Sequence, residues 1–226
     1  MGRPKGTRKV EIQRAAAELF AKNGYHATGV QEVSTAVGIG RGALYHHIGS
    51  KEALLYEIVT REIVEVIGLG RALLEEDSSA EDKLRRLSRA QMRSLAGNLA
   101  EWTVFQRDAF ALQGTVREQI VARRDEYEEI WAQLFEQGVQ AGEFRRLDPV
   151  VIKGVLGMHN YAYLWIRGDG RLTPEEIADH FCDVVLGGVR AWVPSTAHAP
   201  AARSSSIAPC RSAPSASASG SVSASA

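Results

Sequence analysis

The chain is poor in cysteine and methionine, carries no net charge and has no long apolar run. Its two cysteines, Cys182 and Cys210, are too few for a disulfide framework or, by themselves, a zinc site. Cys182 falls in an apolar helical pattern and reads as a small core residue. No stretch approaches the eighteen or so consecutive apolar residues of a membrane span. The basic start lacks the apolar core of a signal peptide, so a cytoplasmic protein associated with the bacterial nucleoid is expected, with no membrane partner. No nucleophile elbow, phosphate-binding glycine loop or metal-binding spacing is present. His159 and Asn160 form a polar pair without a nucleophile nearby in sequence. No catalytic residue, metal or cofactor is therefore expected. His26, His46 and His47 have no cysteine or paired carboxylate beside them at ligand spacing, and adjacent histidines on a helix do not converge on one ion. Alternating strand patterns of useful length are also missing, which leaves an all-α fold of about nine helices.

Zero net charge argues against a nucleic-acid partner until its distribution is considered. Residues 1–60 hold eight basic and five acidic groups, a net +3, and the remainder carries −3. A basic head on a mildly acidic body suits a protein that grips DNA at one end. The 226 residues, 45% of them hydrophobic, suffice for one or two domains with a sizeable core.

The segment from Thr28 to Leu54 carries the most information. Val30, Val33 and Val37 form one apolar stripe, Gly38 interrupts it, and a second short helix follows from Gly40 to His47. Ser50 then caps a helix beginning Lys51-Glu52-Ala53. Two short helices around a glycine turn are how proteins lay a helix in the DNA major groove. Upstream, residues 9–23 form an amphipathic helix ending at Asn23-Gly24, just after the basic run Arg3, Lys5, Arg8 and Lys9. Phe20, Tyr25, Val33 and Leu44 would close a three-helix core.

Downstream, one helix runs unbroken from Lys51 to about Glu76. Asp77-Ser78-Ser79 then starts a helix that ends near Gly97-Asn98, and another runs through Trp102 to Leu112. Residues 116–141 make a long amphipathic helix. Asp148-Pro149 opens a helix to about Trp165, and Thr173-Pro174-Glu175-Glu176 caps a last one to about Trp192. Three segments result: a DNA-binding head over 1–55, a helical body over 56–193, and a Ser/Ala/Pro-rich tail over 194–226 that should be disordered and dispensable.

The stretch IQRAAAELFAKNGYHATGV (Ile12 to Val30), the turn Val37-Gly38-Ile39, GALYHH (Gly42 to His47) and SKEAL (Ser50 to Leu54) resemble the TetR family of bacterial repressors in order and spacing. The resemblance implies a homodimer with N-terminal heads on a palindromic operator and a body that binds a small effector. It further implies that Gly40, Arg41 and Ala43 face bases, while Tyr45, His46 and Lys51 meet phosphates; Arg3 and Lys5 add basic contacts. Thr28, at a helix start, can offer its hydroxyl and backbone N–H to a phosphate. Two positions depart from the family: Gly40 stands where Ser or Thr usually caps the recognition helix, and Ile48 where an aromatic usually follows the second His. In the body, FEQGVQAGEFR (Phe135 to Arg145), WIRGDGRLTPEEIADHF (Trp165 to Phe181) and LGGV (Leu186 to Val189) resemble the branch that responds to acyl-CoA thioesters of fatty acids or steroid-ring fragments. Gly168 replaces that branch's proline.

Candidate effector residues are the aromatic Trp102, Tyr127, Trp131, Tyr163 and Trp165, with the polar Gln106, Arg107, His159 and Asn160. The polar four interrupt apolar helical runs, and a buried polar group needs a partner that a ligand could supply. Each aromatic could equally be core. Dimerisation is expected through the helices at about 148–165 and 174–192, where Gly187-Gly188 permits close approach. The main reading is a ligand-released transcriptional repressor. The alternatives are a multidrug or aromatic-compound sensor controlling an efflux gene, a helical protein-binding adaptor, and an enzyme. The operator sequence, the effector, the regulated genes, the choice of repression over activation and the role of the tail are not written in the residues.

Overall fold

A computed structural model describes residues 5–190, which fall within one compact unit, Met1–Trp192. The tail over 194–226, expected to be disordered, lies outside the described residues, as does Cys210.

Nine α-helices are formed among the described residues. They are α1 (Lys5–Asn23), α2 (Val30–Ala36), α3 (Arg41–Ile48), α4 (Lys51–Glu75), α5 (Ala80–Gly97), α6 (Leu99–Asp108), α7 (Gly114–Gln140), α8 (Val150–Asn160) and α9 (Pro174–Val189). Short 3-10 turns follow α6 (Ala109–Ala111) and α8 (Tyr161–Leu164). The only β pairing among these residues is an isolated bridge between Phe144 and Arg190. Several sequence-based boundaries differ, two of them instructively. The first helix begins at Lys5, four residues earlier than its apolar pattern. The helix expected to reach Trp165 ends at Asn160 and tightens into a 3-10 turn that presses Ala162 into the core.

The caps explain the boundaries. Ser50 Oγ accepts a hydrogen bond from Ala53 N–H (2.9 Å) and starts α4, as Ser79 does for α5 through Asp82 N–H (3.1 Å). Thr173 and Glu176 form a reciprocal capping box with Pro174 in the first turn of α9. Gly24, Gly38 and Gly142 each adopt positive φ where a helix or turn must stop.

α4 joins head to body. Leu54, Leu55 and Ile58 bury themselves with Ile12, Ala16 and Phe20 of α1 and with Val33 and Leu44, making the head's core. Farther along, Ile63, Val66, Ile67 and Leu73 face the body. Each such fully buried aliphatic side chain contributes about 1.5–3 kcal/mol relative to exposure. α4 packs on α7, α5 on α9, and α1 on α6. The α4–α7 approach is close because Gly70 has no side chain: a Cβ there would lie 2.6 Å from Ile130 Cγ2. A buried polar knot fastens α4 to α5 and α6. In it Glu62 accepts from Ser94 Oγ (2.9 Å), Asn98 Nδ2 (2.8 Å) and Arg61, while Trp102 Nε1 donates to Ser94 Oγ (3.0 Å).

Candidate functional site

In the head, Gly38 at φ +66 turns the chain between α2 and α3, and Ile39 N–H closes the turn on Ser34 O (3.0 Å). Gly40 caps α3 by backbone alone, with no side-chain bond. Leu44 and Ile48 anchor α3 in the core, while Arg41 in its first turn and Gly42, Ala43, Tyr45 and His46 are exposed. The Arg41 guanidinium lies 5.6 Å from the Tyr45 ring centroid. His47 is half-buried, its ring 5.9 Å from that of His46. Lys51, at the start of α4, rests its ammonium 4.3 Å from the Tyr25 ring, and burial pushes its pKa below the usual lysine range. Tyr25 in turn packs edge-on against Phe20 (5.3 Å). The outward face of α3 and Lys51 are thus positioned by one small apolar core.

One expectation for the head changes. Thr28 is 1% exposed, and both its hydroxyl (2.9 Å) and its backbone N–H (3.2 Å) donate to Gly24 O. Its donors close the α1–α2 loop instead of facing a phosphate, and Gly29 is the residue that caps α2. Within the upstream basic run, Arg8 donates to Val37 O (2.6 Å) and pairs with Glu11, while Lys9 pairs with Glu57 of α4 (2.7 Å). These two bases brace the head. Arg3 and the side chain of Lys5 lie outside the described residues.

In the body, α4, α6, α7, α8 and the 3-10 turn after α8 line a partly open cavity of about 430 Å³. Five expected residues line it: Trp102, Gln106, Tyr127, Asn160 and Tyr163. The Tyr127 hydroxyl donates to Gln91 Oε1, and Gln91 Nε2 donates to Asn160 Oδ1 (3.2 Å), so this wall carries its own polar relay. Burial raises the Tyr127 pKa far above its ordinary value, and the phenol stays protonated.

Four expected residues lie elsewhere. Arg107 points away from the cavity, donating to the α1 carbonyls of Phe20 and Ala21 and pairing with Asp108 (2.9 Å). Trp131 and His159 belong to the core behind the cavity, their rings 4.9 Å apart. His159 is 1% exposed, with Nδ1 donating to Val155 O (2.9 Å), which leaves Nε2 to accept from the Ser88 hydroxyl (2.7 Å). Burial lowers its pKa to about 4 and keeps the imidazole neutral. Trp165 is 48% exposed and meets Phe181 edge-on at 6.1 Å. Conversely, Arg124, Lys153 and Tyr161 line the cavity without having been singled out. Arg124 sits in the charged run Arg123-Arg124-Asp125-Glu126, which reads as a solvated face, and only its contacts with Phe105 and Phe110 draw it inward.

Comparison with known proteins places both regions. Residues 12–58 match the family described as bacterial regulatory proteins, tetR family, and residues 77–189 match the tetracyclin repressor-like C-terminal domain. The transcriptional repressor KstR2 of Mycolicibacterium smegmatis is 28% identical over 186 residues, covering 81% of this chain and 91% of the relative. The structure of the regulator PfmR from Thermus thermophilus superimposes with a TM-score of 0.73 at 34% identity, over 78% of this chain and 97% of PfmR. AibR, solved in complex with isovaleryl coenzyme A and operator DNA, gives a TM-score of 0.69 at 30% identity, over 78% and 97% of the two chains. With its exposed second helix after a glycine turn and its all-helical body, the chain belongs to the TetR family of bacterial regulatory proteins and is a DNA-binding transcriptional regulator, not an enzyme.

Proposed function

We propose that the chain is a repressor that binds a palindromic operator as a homodimer and leaves it when a small effector, an acyl-CoA thioester, occupies the body cavity. The head is assigned to residues 1–55 and the effector-binding body to 56–193. Arg41, with Gly40 and Ala43, faces base edges; Tyr45, His46 and Lys51 meet phosphates, helped by Arg3 and Lys5. The protein works in the cytoplasm, on the nucleoid.

The observation that carries this reading is the meeting of cavity and head on one helix. In α6, Gln106 lines the cavity while its neighbour Arg107 holds the last carbonyls of α1. A ligand that moves α6 therefore pulls on the head's first helix, and Ile63 of α4 feels the same cavity. Only a ligand that binds the non-operator arrangement more tightly can shift the equilibrium. A volume of about 430 Å³ is within the range of small-ligand sites. The acyl-CoA assignment takes its support from AibR, crystallised with isovaleryl coenzyme A and operator DNA. That relative favours a thioester over an efflux-linked drug.

The dimer is assigned to α8 and α9. Val150 and Val184 are 66% and 71% exposed, and a shallow apolar groove between these helices runs along Gly154, Met158, Val185 and Gly188. A second copy packed there by a two-fold axis would set two heads for the half-sites of a palindrome. The test is an operator-release titration with acyl-CoAs, matching free acids and planar aromatic drugs. Acyl-CoAs should release the operator at micromolar levels. Release by the drugs alone would overturn the acyl-CoA assignment.

A further inference from the structure

Arg124 is the one charge on the cavity wall whose surroundings do not balance it. Its guanidinium is half-buried against two phenyl rings, 4.7 Å from the Phe105 centroid and 4.8 Å from that of Phe110. Its only hydrogen bond among the described residues goes from Nη2 to Gln106 Oε1 (3.0 Å), a neutral acceptor. The cavity's other charges cancel, because Lys153 and Glu128 pair at 2.5 Å. Glu126, two residues from Arg124 on the same helix, is taken by Arg71 and Arg123. Burial lowers the Arg124 pKa from the usual arginine range. Arginine stays protonated even so, and burying an unpaired charge is costly unless something supplies the opposite sign.

A second unmet group lies beside it. Gln106, a residue of the cavity wall, turns its Oε1 to Arg124, and its Nε2 is buried without any hydrogen-bond partner. Beyond its bond to Gln106 the guanidinium has no hydrogen-bond partner among the described residues, so its remaining N–H donors can meet an oxyanion in their fork geometry.

We propose that Arg124 and Gln106 Nε2 form an anion subsite in the cavity that takes an oxyanion, carboxylate or phosphate, carried by an otherwise apolar ligand. The subsite rests on the reading of the cavity as the effector site, and it adds the group that selects the ligand by charge. Tyr127, Trp102 and Ile63 supply the apolar wall for the remainder. A purely structural Arg124, packed against the rings as a brace, would contribute to stability but not to charge selectivity.

The experiment measures calorimetric binding of four six-carbon probes to the full chain: hexanoate, hexanoyl-CoA, hexanol and hexylamine. At least one anion should bind about ten-fold or more tightly than the alcohol, and the amine least well. Arg124→Gln should abolish that preference while leaving hexanol binding unchanged. Arg124→Lys should restore part of it, and Gln106→Leu should weaken the anion without lowering the melting temperature. Hexanoate binding identifies a carboxylate as the oxyanion, and binding of hexanoyl-CoA alone identifies a coenzyme A phosphate. Absence of anion preference in the unmodified chain, or its survival in Arg124→Gln, overturns the subsite. Operator release is read in parallel. Arg124-dependent anion binding that leaves the operator bound would refute the release reading and keep the subsite. Release by hexanoyl-CoA that Arg124→Gln does not diminish would do the reverse.

Discussion

Arg41 and His159 show how differently single residues can be read from sequence. Arg41 stands at the start of a short helix after a glycine turn, and the structure leaves it exposed in the first turn of that helix. Local sequence was enough, because the glycine turn and the helix start it leads into are set by neighbouring residues. Arg41→Ala should weaken specific operator binding by about 1–3 kcal/mol and relax preference at one base position. Comparing binding to single-base operator variants checks this; an unchanged preference profile removes Arg41 from base readout. His159 was not legible in the same way. Its polarity in an apolar run suggested a ligand contact, but its partner Ser88 lies 71 residues away on α5 and no local pattern announces it. Both nitrogens are satisfied, and the ring is neutral with a pKa of about 4. Between that value and the unfolded value near 6.5, the unfolded chain takes up a proton that the fold rejects. The stability held above pH 6.5 is therefore lost as pH falls toward 4, and about 2 kcal/mol should be gone at pH 5. Urea midpoints at pH 7 and pH 5 measure this, and His159→Gln should flatten the difference. An unaltered pH slope in that variant would show that His159 is not the titrating group.

For whole elements, caps and breakers in the sequence marked most helices, including the unbroken α4 and the Thr173 capping box. The end of α8 escaped notice because Tyr161-Ala-Tyr-Leu-Trp165 contains no glycine or proline. Its tightening into a 3-10 turn accompanies the burial of Ala162 against distant partners. Helix-to-helix contacts were equally hidden. Arg107 read as a candidate effector contact, yet it spans from α6 to the end of α1. Arg107→Ala should leave acyl-CoA affinity intact while reducing the effect of acyl-CoA on operator binding several-fold, because the tie between cavity and head is cut. Paired titrations of ligand and operator distinguish this from simple loss of binding. Gly70 sets the approach of α4 to α7. Gly70→Ala should destabilise by about 1–3 kcal/mol through overpacking against Ile130, despite alanine's better helix propensity. A rise in melting temperature would mean that Ile130 moves aside without strain.

For the molecule as a whole, composition excluded much and decided little: a neutral total charge concealed a basic head, and the family resemblance of Ile12 to Leu54 carried the regulator reading. The cavity's apolar aromatics were visible in the sequence, but its charge was not, since Arg124 looks like any solvated helix arginine until Phe105 and Phe110 fold over it. The exposed valines of α8 and α9 belong to this scale too. Val184→Asp should convert the proposed dimer to a monomer and abolish high-affinity palindrome binding, as sedimentation and gel shift would show; a variant still dimeric would locate the interface elsewhere. The central claim is that the body cavity and the DNA-binding face are thermodynamically linked. The direct measurement is a binding cycle: operator affinity with and without a saturating acyl-CoA, and acyl-CoA affinity with and without operator. Linkage requires the two ratios to be equal, and a release mechanism predicts a common weakening of about 5-fold to 150-fold. Acyl-CoA binding of the same strength to the free and the operator-bound protein would contradict it.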